Sequence, residues 1–250
     1  MKQLTPIALA LTLSGNVALA QDGGQSLDRT APALAAYDSN MVESGLWQRQ
    51  GLSPRDRSVV TVATLIARDQ TDLMPSEFTR ALDNGLTPAE LSGIITHLAF
   101  YAGWGNAVAA TRIAAPIYDA RGIAADTLPG ADITPLPLNA EAEVAREANV
   151  QAQHAETSPG VVDYTREALF NDLWLRPDLA PRDRSLVTVS ALVANGQVAQ
   201  VPYHLGRAMD NGLTRDEASE ALTQMAFYAG WPNVFSAMPV FRTVFDTRAQ

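Results

Sequence analysis

Two stretches carry the side chains best suited to chemistry. In PYHLGRAMDNGLT, residues 202–214, His204, Arg207 and Asn211 stand at i, i+3 and i+7, so a helix presents them on one face. An imidazole, a guanidinium and an amide so placed supply a near-neutral acid or base, a partner for a carboxylate and a neutral donor. That set suits proton transfer on a small anionic substrate. The competing reading is a core histidine bonded to a backbone carbonyl, with Arg207 paired to a local acid. The second stretch is HLAFYAGWGN, 97–106, where His97 has Tyr101 at i+4 and Trp104 at the helix end.

Both stretches occur twice. A shift of 127 residues lays 32–121 on 159–248 without a gap, and roughly 38 of the 90 pairs are identical. LSPRDRSVVTVATLIA (52–67) answers LAPRDRSLVTVSALVA (179–194), RALDNGLT (80–87) answers RAMDNGLT (207–214), and HLAFYAGWGN answers QMAFYAGWPN (224–233). The copies differ at the chemical positions. Copy one has Glu77 in place of His204, with Arg80 one turn on, and copy two has Gln224 in place of His97.

These differences set the candidates. Glu77 and Arg80 read as an intrahelical ion pair left after loss of the original role, or as a general base if burial raises the carboxyl pKa. His97 and Gln224 read as polar contacts between packed helices. The sharper alternative is a composite site in which His97 joins His204 across the copy–copy interface. The catalytic candidates are therefore His204, Arg207, His97 and Glu77. The substrate-binding candidates are Asn211, Tyr228, Trp231, Arg184 and Arg57. Arg57 and Arg184 precede a buried run and also suit interior salt links, whereas Arg55 and Arg182 read as surface ion pairs.

Composition removes several chemistries. The 250 residues contain no cysteine, which excludes disulfides, thiolate metal sites and thiol-based redox steps. The only histidines are His97, His154 and His204, without HExxH or paired spacing, so no metal site is expected. Net charge is −9 with no basic stripe, which argues against nucleic acid. Residues 1–20, with Lys2, an apolar run and the small residues Ala18 and Ala20, read as a signal peptide for a periplasmic or secreted protein; the run is too short for a comfortable span, and no membrane association is expected after its removal.

The elements that must position the candidates read as helices. Ser53 with Pro54 starts a helix whose run VVTVATLIA is apolar nearly all round and so buried. A helix around Glu77–Asp83 ends at Asn84-Gly85. Thr87 and Glu90 form a capping box for the next, Gly103 closes it, and Asn106 opens the last, which runs through Tyr118. The expected division is a signal at 1–20, a first repeat at 31–122, a Pro-rich linker with a polar helix at 123–157, and a second repeat at 158–250. His154 in that linker helix reads as a solvated histidine.

The ordered motifs PRDRSLVTVSALVA, PYHLGRAMDNGLT and MAFYAGWPN, with PRDRSVVTVATLIA, RALDNGLT and HLAFYAGWGN in copy one, resemble the carboxymuconolactone decarboxylase family, which includes the alkyl hydroperoxidase D proteins. The resemblance implies an all-α pair of tandem repeats, a cofactor-free enzyme and a homo-oligomer, here a trimer with pseudo-sixfold symmetry. His204 fills the family's helix-histidine position. The Cys-x-x-Cys pair of the peroxidase branch would fall at Gln197 and Gln200, or at Gln70 and Leu73, so a thiol peroxidase is excluded. The expected activity is decarboxylation, isomerisation or opening of a small anionic lactone or oxo-acid. The rival is a non-enzymatic, vestigial scaffold.

Overall fold

A computed structural model describes residues 26–248; the signal-peptide expectation for 1–20 lies outside the described residues. The chain is all-α, with no strand among the described residues. Copy one opens with α1 (Pro32–Tyr37), which runs on into a π-helical turn at Asp38–Glu43. It continues through α2 (Pro54–Ala67), α3 (Met74–Asp83), α4 (Pro88–Tyr101) and α5 (Trp104–Ala120). The linker carries α6 (Ala140–His154). Copy two repeats the order in α7 (Pro159–Tyr164), a π-helical turn at Thr165–Phe170, α8 (Pro181–Ala194), α9 (Val201–Asp210), α10 (Arg215–Ala229) and α11 (Trp231–Arg248).

Local chemistry accounts for the boundaries. The Ser53 hydroxyl accepts from the Asp56 amide at 3.0 Å, and Pro54 takes the first helical position of α2. Thr87 with Glu90, and Thr214 with Glu217, form reciprocal capping boxes on α4 and α10. Gly103, at φ +102°, turns the chain between α4 and α5 in a backbone conformation that a side chain would strain. The last helix of copy one begins at Trp104, two residues earlier than expected, because Asn106 is used as a tie and not as a cap. Its Nδ2 donates to the Ala67 carbonyl at the end of α2, as Asn233 does to Ala194.

The two copies share one core. From Ser58 to Ala67, and from Ser185 to Ala194, every residue of α2 and α8 is buried. These helices pack on each other about the pseudo-twofold axis, and α10 lies on α2 while α4 lies on α8. Each copy therefore walls the interior of the other. Arg55 and Arg182 make the ion pairs that the sequence suggested, with Asp56 and Glu90 and with Asp183 and Glu217, and also serve this exchange. Arg55 reaches Asp183 Oδ2 at 2.7 Å and Arg182 reaches Asp56 Oδ2 at 2.8 Å, each bridging the copies.

One backbone feature separates the halves. Asp69 holds φ +53°, where its counterpart in copy two is Gly196 at φ +70°. The left-handed region costs a non-glycine residue about 1–2 kcal/mol, less for Asp. Asp69→Gly is expected to raise unfolding free energy by roughly 0.5–1 kcal/mol, measured by urea denaturation.

Candidate active site

Each half builds an equivalent polar buttress from different residues. In one, buried Arg57 donates Nη1 to Gln224 Oε1 at 3.1 Å, and Gln224 Nε2 donates to Thr61 Oγ1 at 3.0 Å. In the other, Arg184 Nη1 lies 3.4 Å from His97 Nδ1, and His97 Nε2 lies 2.7 Å from Thr188 Oγ1. The Thr188 hydroxyl already donates to the Arg184 carbonyl at 2.8 Å, so it accepts from His97. That fixes the neutral tautomer with the proton on Nε2 and Nδ1 accepting from Arg184. Burial, then the Arg184 charge and His204, hold the His97 pKa well below its ordinary value.

His97 is thus a filled bridge, not a proton donor to a ligand. It reaches the same aromatic cluster as His204, as the composite reading required, but brings no free nitrogen to it. An amide does the same work in the other half. His97→Gln is accordingly expected to change stability by under about 1 kcal/mol, and His97→Ala to cost about 2–4 kcal/mol by leaving a void beside unsatisfied groups, read from denaturant midpoints.

The acids that face the buried arginines have changed places. Arg57 pairs with Glu220 of α10 at 2.9 Å, and a Cβ at Gly51 would press on that carboxylate's stem at 3.0 Å. Arg184 pairs instead with Asp178 at 3.6 Å, and a Cβ at Gly93 would overlap the Asp178 carboxylate. Position 51 corresponds to 178 and position 93 to 220, so each half keeps one acid and one glycine in opposite arrangement. The weaker pairing leaves its mark. Burial lowers the Arg184 pKa to about 10, with Asp178 opposing the shift.

His204 stands on α9 in a box of rings. Trp174 stacks on it at 5.6 Å, Tyr101 of the other copy meets it edge-on at 5.4 Å, and Tyr203 closes a third side at 5.0 Å. Trp174 Nε1 donates to the Tyr101 hydroxyl at 2.9 Å, and among the described residues no acceptor takes that hydroxyl's own proton. The His204 Nδ1 is buried without a partner. Burial, then the Arg207 charge, lowers its pKa to about 4, so the ring is neutral near pH 7. Arg207 lies over Trp174 at 4.3 Å, with Glu143 of α6 at 3.6 Å and the Tyr203 hydroxyl at 3.3 Å. The linker helix thus reaches over this site, and its Arg146 also covers Phe170 at 3.7 Å.

The mirror position is different. Glu77 on α3 is buried, with Tyr228 of the other copy donating to Oε1 at 3.4 Å and Trp47 donating to that Tyr hydroxyl at 3.0 Å. Its Oε2 has no hydrogen-bond partner; the Arg80 Nε stands 3.4 Å away, unaligned. Arg80 spends its fork on Glu43, at 2.7 and 3.0 Å. Burial raises the Glu77 pKa to about 7, against Arg80 and with Glu43. A cavity of about 620 Å³ opens on this side, lined by Glu77 and Tyr228.

The remaining candidates fall outside a shared pocket. Asn211 is an exposed C-cap whose Nδ2 donates to the Arg207 carbonyl. Trp231 packs on Phe227 and is 49% exposed. Tyr228 belongs to the Glu77 side, not to His204. Arg57 and Arg184 have no exposed surface and serve as interior salt links. His154 is exposed, as expected. Trp174, Glu143 and Phe170 escaped the sequence reading; Trp174 stands 127 residues after Trp47, its repeat counterpart, but nothing in the sequence marks it as a site wall. Among the described residues no group of three or more His, Asp or Glu side chains is placed to hold a metal.

Comparison with known proteins agrees with this architecture. Residues 32–116 and 159–243 each match the profile of the carboxymuconolactone decarboxylase family, together more than half of the chain. The chain is 37% identical over 76 residues to the 4-carboxymuconolactone decarboxylase of Acinetobacter baylyi, covering 30% of this chain and 57% of that one. It is 32% identical over 84 residues to the nitrosuccinic acid decarboxylase of Metarhizium robertsii, covering 34% of this chain and 58% of that one. The chain thus spans less than two thirds of the length of either curated relative. With two matched repeats folded around one shared core, this chain belongs to the carboxymuconolactone decarboxylase family.

Proposed function

We propose that the protein is a decarboxylase-type enzyme acting by acid/base chemistry, without a cofactor, on a small carboxylate-bearing lactone or oxo-acid at the His204 side. The observation that carries the reading is the buried, unpartnered Nδ1 of His204 beside the Arg207 guanidinium. Arg207 receives the substrate carboxylate, and its loose hold on Glu143 leaves it free to do so. As CO₂ leaves, its bonding electron pair moves into the adjoining carbonyl or lactone system. The free proton of the Tyr101 hydroxyl meets the oxygen that gains charge. His204 then delivers a proton to the carbon. A bound anion raises the imidazole pKa, so that proton is taken up with the substrate.

The same groups serve isomerisation or lactone opening. The two relatives named as decarboxylases favour loss of CO₂. Export through residues 1–20 and assembly as a pseudo-sixfold trimer belong to this proposal. Carboxylated lactones and oxo-acids assayed for CO₂ release with wild type and His204→Gln provide the test. Turnover lost in the variant supports the reading, and turnover retained overturns it.

A further inference from the structure

Copy one carries carboxylates at five positions where copy two has none. Asp38, Glu43, Asp69, Asp72 and Glu77 all line the 620 Å³ cavity. Their counterparts in copy two are Thr165, Phe170, Gly196, Ala199 and His204. No Lys, Arg or His is among the lining residues, and the nearby Arg80 is held bidentate by Glu43. Asp38, Asp69 and Asp72 have no salt-bridge partner among the described residues. This charge is not spent on the fold.

Apart from Gln70 and Thr71, the rest of the wall is apolar or aromatic, and part of it is exposed. Tyr37, Leu34 and Leu73 line the cavity at 61%, 54% and 47% exposure, together with Phe227 and Tyr228. At the base, Glu77 is 93% buried by surface area, being 7% exposed, and its Oε2 has no hydrogen-bond partner. Arg80 Nε offsets this oxygen's charge from 3.4 Å without a hydrogen bond, so the oxygen's place for a donor stays unfilled.

From this geometry we infer that the Glu77 cavity is a second binding site, distinct from the His204 cluster, and that it takes an organic ammonium ion carrying an apolar or aromatic body. The acids exclude the anionic substrate class of the other site by like charge. Tyr37, Phe227 and Tyr228 offer π-faces to a cation and surface to its hydrocarbon. The volume suits a ring-sized molecule. A metal ion does not fit, because among the described residues no three ligating side chains converge. Asp69 keeps its left-handed backbone here, where glycine stands in the other half; the side chain is retained against local strain.

Proton linkage supports the geometry. Glu77 is faced by Arg80 from its own helix, by Asp38 and Glu43 from the π-helical turn, and by Tyr228 from α10. With its pKa near 7, part of the population is neutral near pH 7, and a bound ammonium favours the ionised form. Amine affinity therefore rises with pH up to about 7 and levels above it, and binding near pH 6 releases a proton.

Titration calorimetry on the full chain tests this with the isosteric pair 2-phenylethylamine and 2-phenylethanol and with the anion phenylacetate. The amine is expected to bind about tenfold or more tighter than the alcohol at pH 8, and phenylacetate to be excluded from the site. Glu77→Gln is expected to weaken the amine by about tenfold and to abolish the pH dependence. The triple variant Asp38→Asn, Asp69→Asn, Asp72→Asn lies at the surface and keeps the test open if Glu77→Gln does not fold; it too is expected to weaken the amine and not the alcohol. His204→Gln retains amine binding, which separates this site from the decarboxylase proposal. Equal affinity for amine and alcohol, no saturable amine binding in the millimolar range, or indifference to the carboxylate variants overturns the inference.

Discussion

Glu220→Ala is expected to lower the unfolding free energy by about 3–5 kcal/mol, because it strands a fully buried charge. Arg57 has no exposed surface, and its Nη2 pairs with Glu220 Oε1 at 2.9 Å while also donating to the Arg49 carbonyl at 2.7 Å. Arg49 holds the same carboxylate from outside. Gln224 supplies Arg57 with a neutral acceptor only, so nothing replaces the lost charge. Glu220→Gln keeps acceptor and shape and is expected to cost about half as much. Urea unfolding of both variants at pH 7 decides: a loss below 1 kcal/mol for Glu220→Ala would show that Arg57 has another anion.

The exchanged acids allow a stricter version. Gly93→Glu alone inserts a side chain where the Asp178 carboxylate already lies, so overpacking and like charge act together. Combined with Asp178→Gly, it rebuilds around Arg184 the arrangement that Glu220 and Gly51 make around Arg57. The double variant is expected to be more stable than Gly93→Glu by about 2 kcal/mol, a coupling that two independent sites would not show.

Local rules account for what was legible in advance. The caps at Ser53 and Thr87, the glycine turns and the buried apolar runs depend on residues within a few positions of one another. The duplication supplied the rest of the fold. The site was less legible because its walls come from opposite copies. Trp47 meets Tyr228, and Trp174 meets Tyr101, over separations of 181 and 73 residues. Glu77 was legible as a base conditional on burial, and burial does raise its carboxyl to about 7, but the cavity that opens beside it is built from residues of both copies and was not legible. The Arg55 and Arg182 links, some 127 residues apart, were likewise invisible to local spacing. One signal was available in the aligned repeats and unused: glycine facing acid at 51 and 178, and again at 93 and 220.

His204→Gln is expected to reduce kcat/KM for CO₂ release by about 10²–10⁴-fold, the range in which general acid–base groups contribute. A structural role can also lower activity, so a second readout is needed, and the imidazole's titration supplies it. Its pKa falls from 6.5 to about 4 on folding, through burial and then Arg207. Between those values the unfolded ring binds a proton that the folded site refuses. The His204 contribution to stability is therefore complete above pH 6.5 and is lost as pH falls toward 4, by roughly 3 kcal/mol in all. Glu77, raised from 4.5 to about 7, gives an opposite slope, so the difference between wild type and His204→Gln carries the readout. His97, its pKa also lowered by burial, contributes alike to wild type and variant and cancels in that difference. Substrate binding should oppose that slope: a carboxylate against Arg207 raises the His204 pKa, and proton uptake on binding should be measurable in wild type near pH 6 and lost in His204→Gln. With three histidines in the chain, the imidazole resonances can be followed individually by NMR. A His204 signal unmoved by any carboxylate that wild type decarboxylates would remove the imidazole from the chemistry and leave it a packed ring between Trp174 and Tyr101.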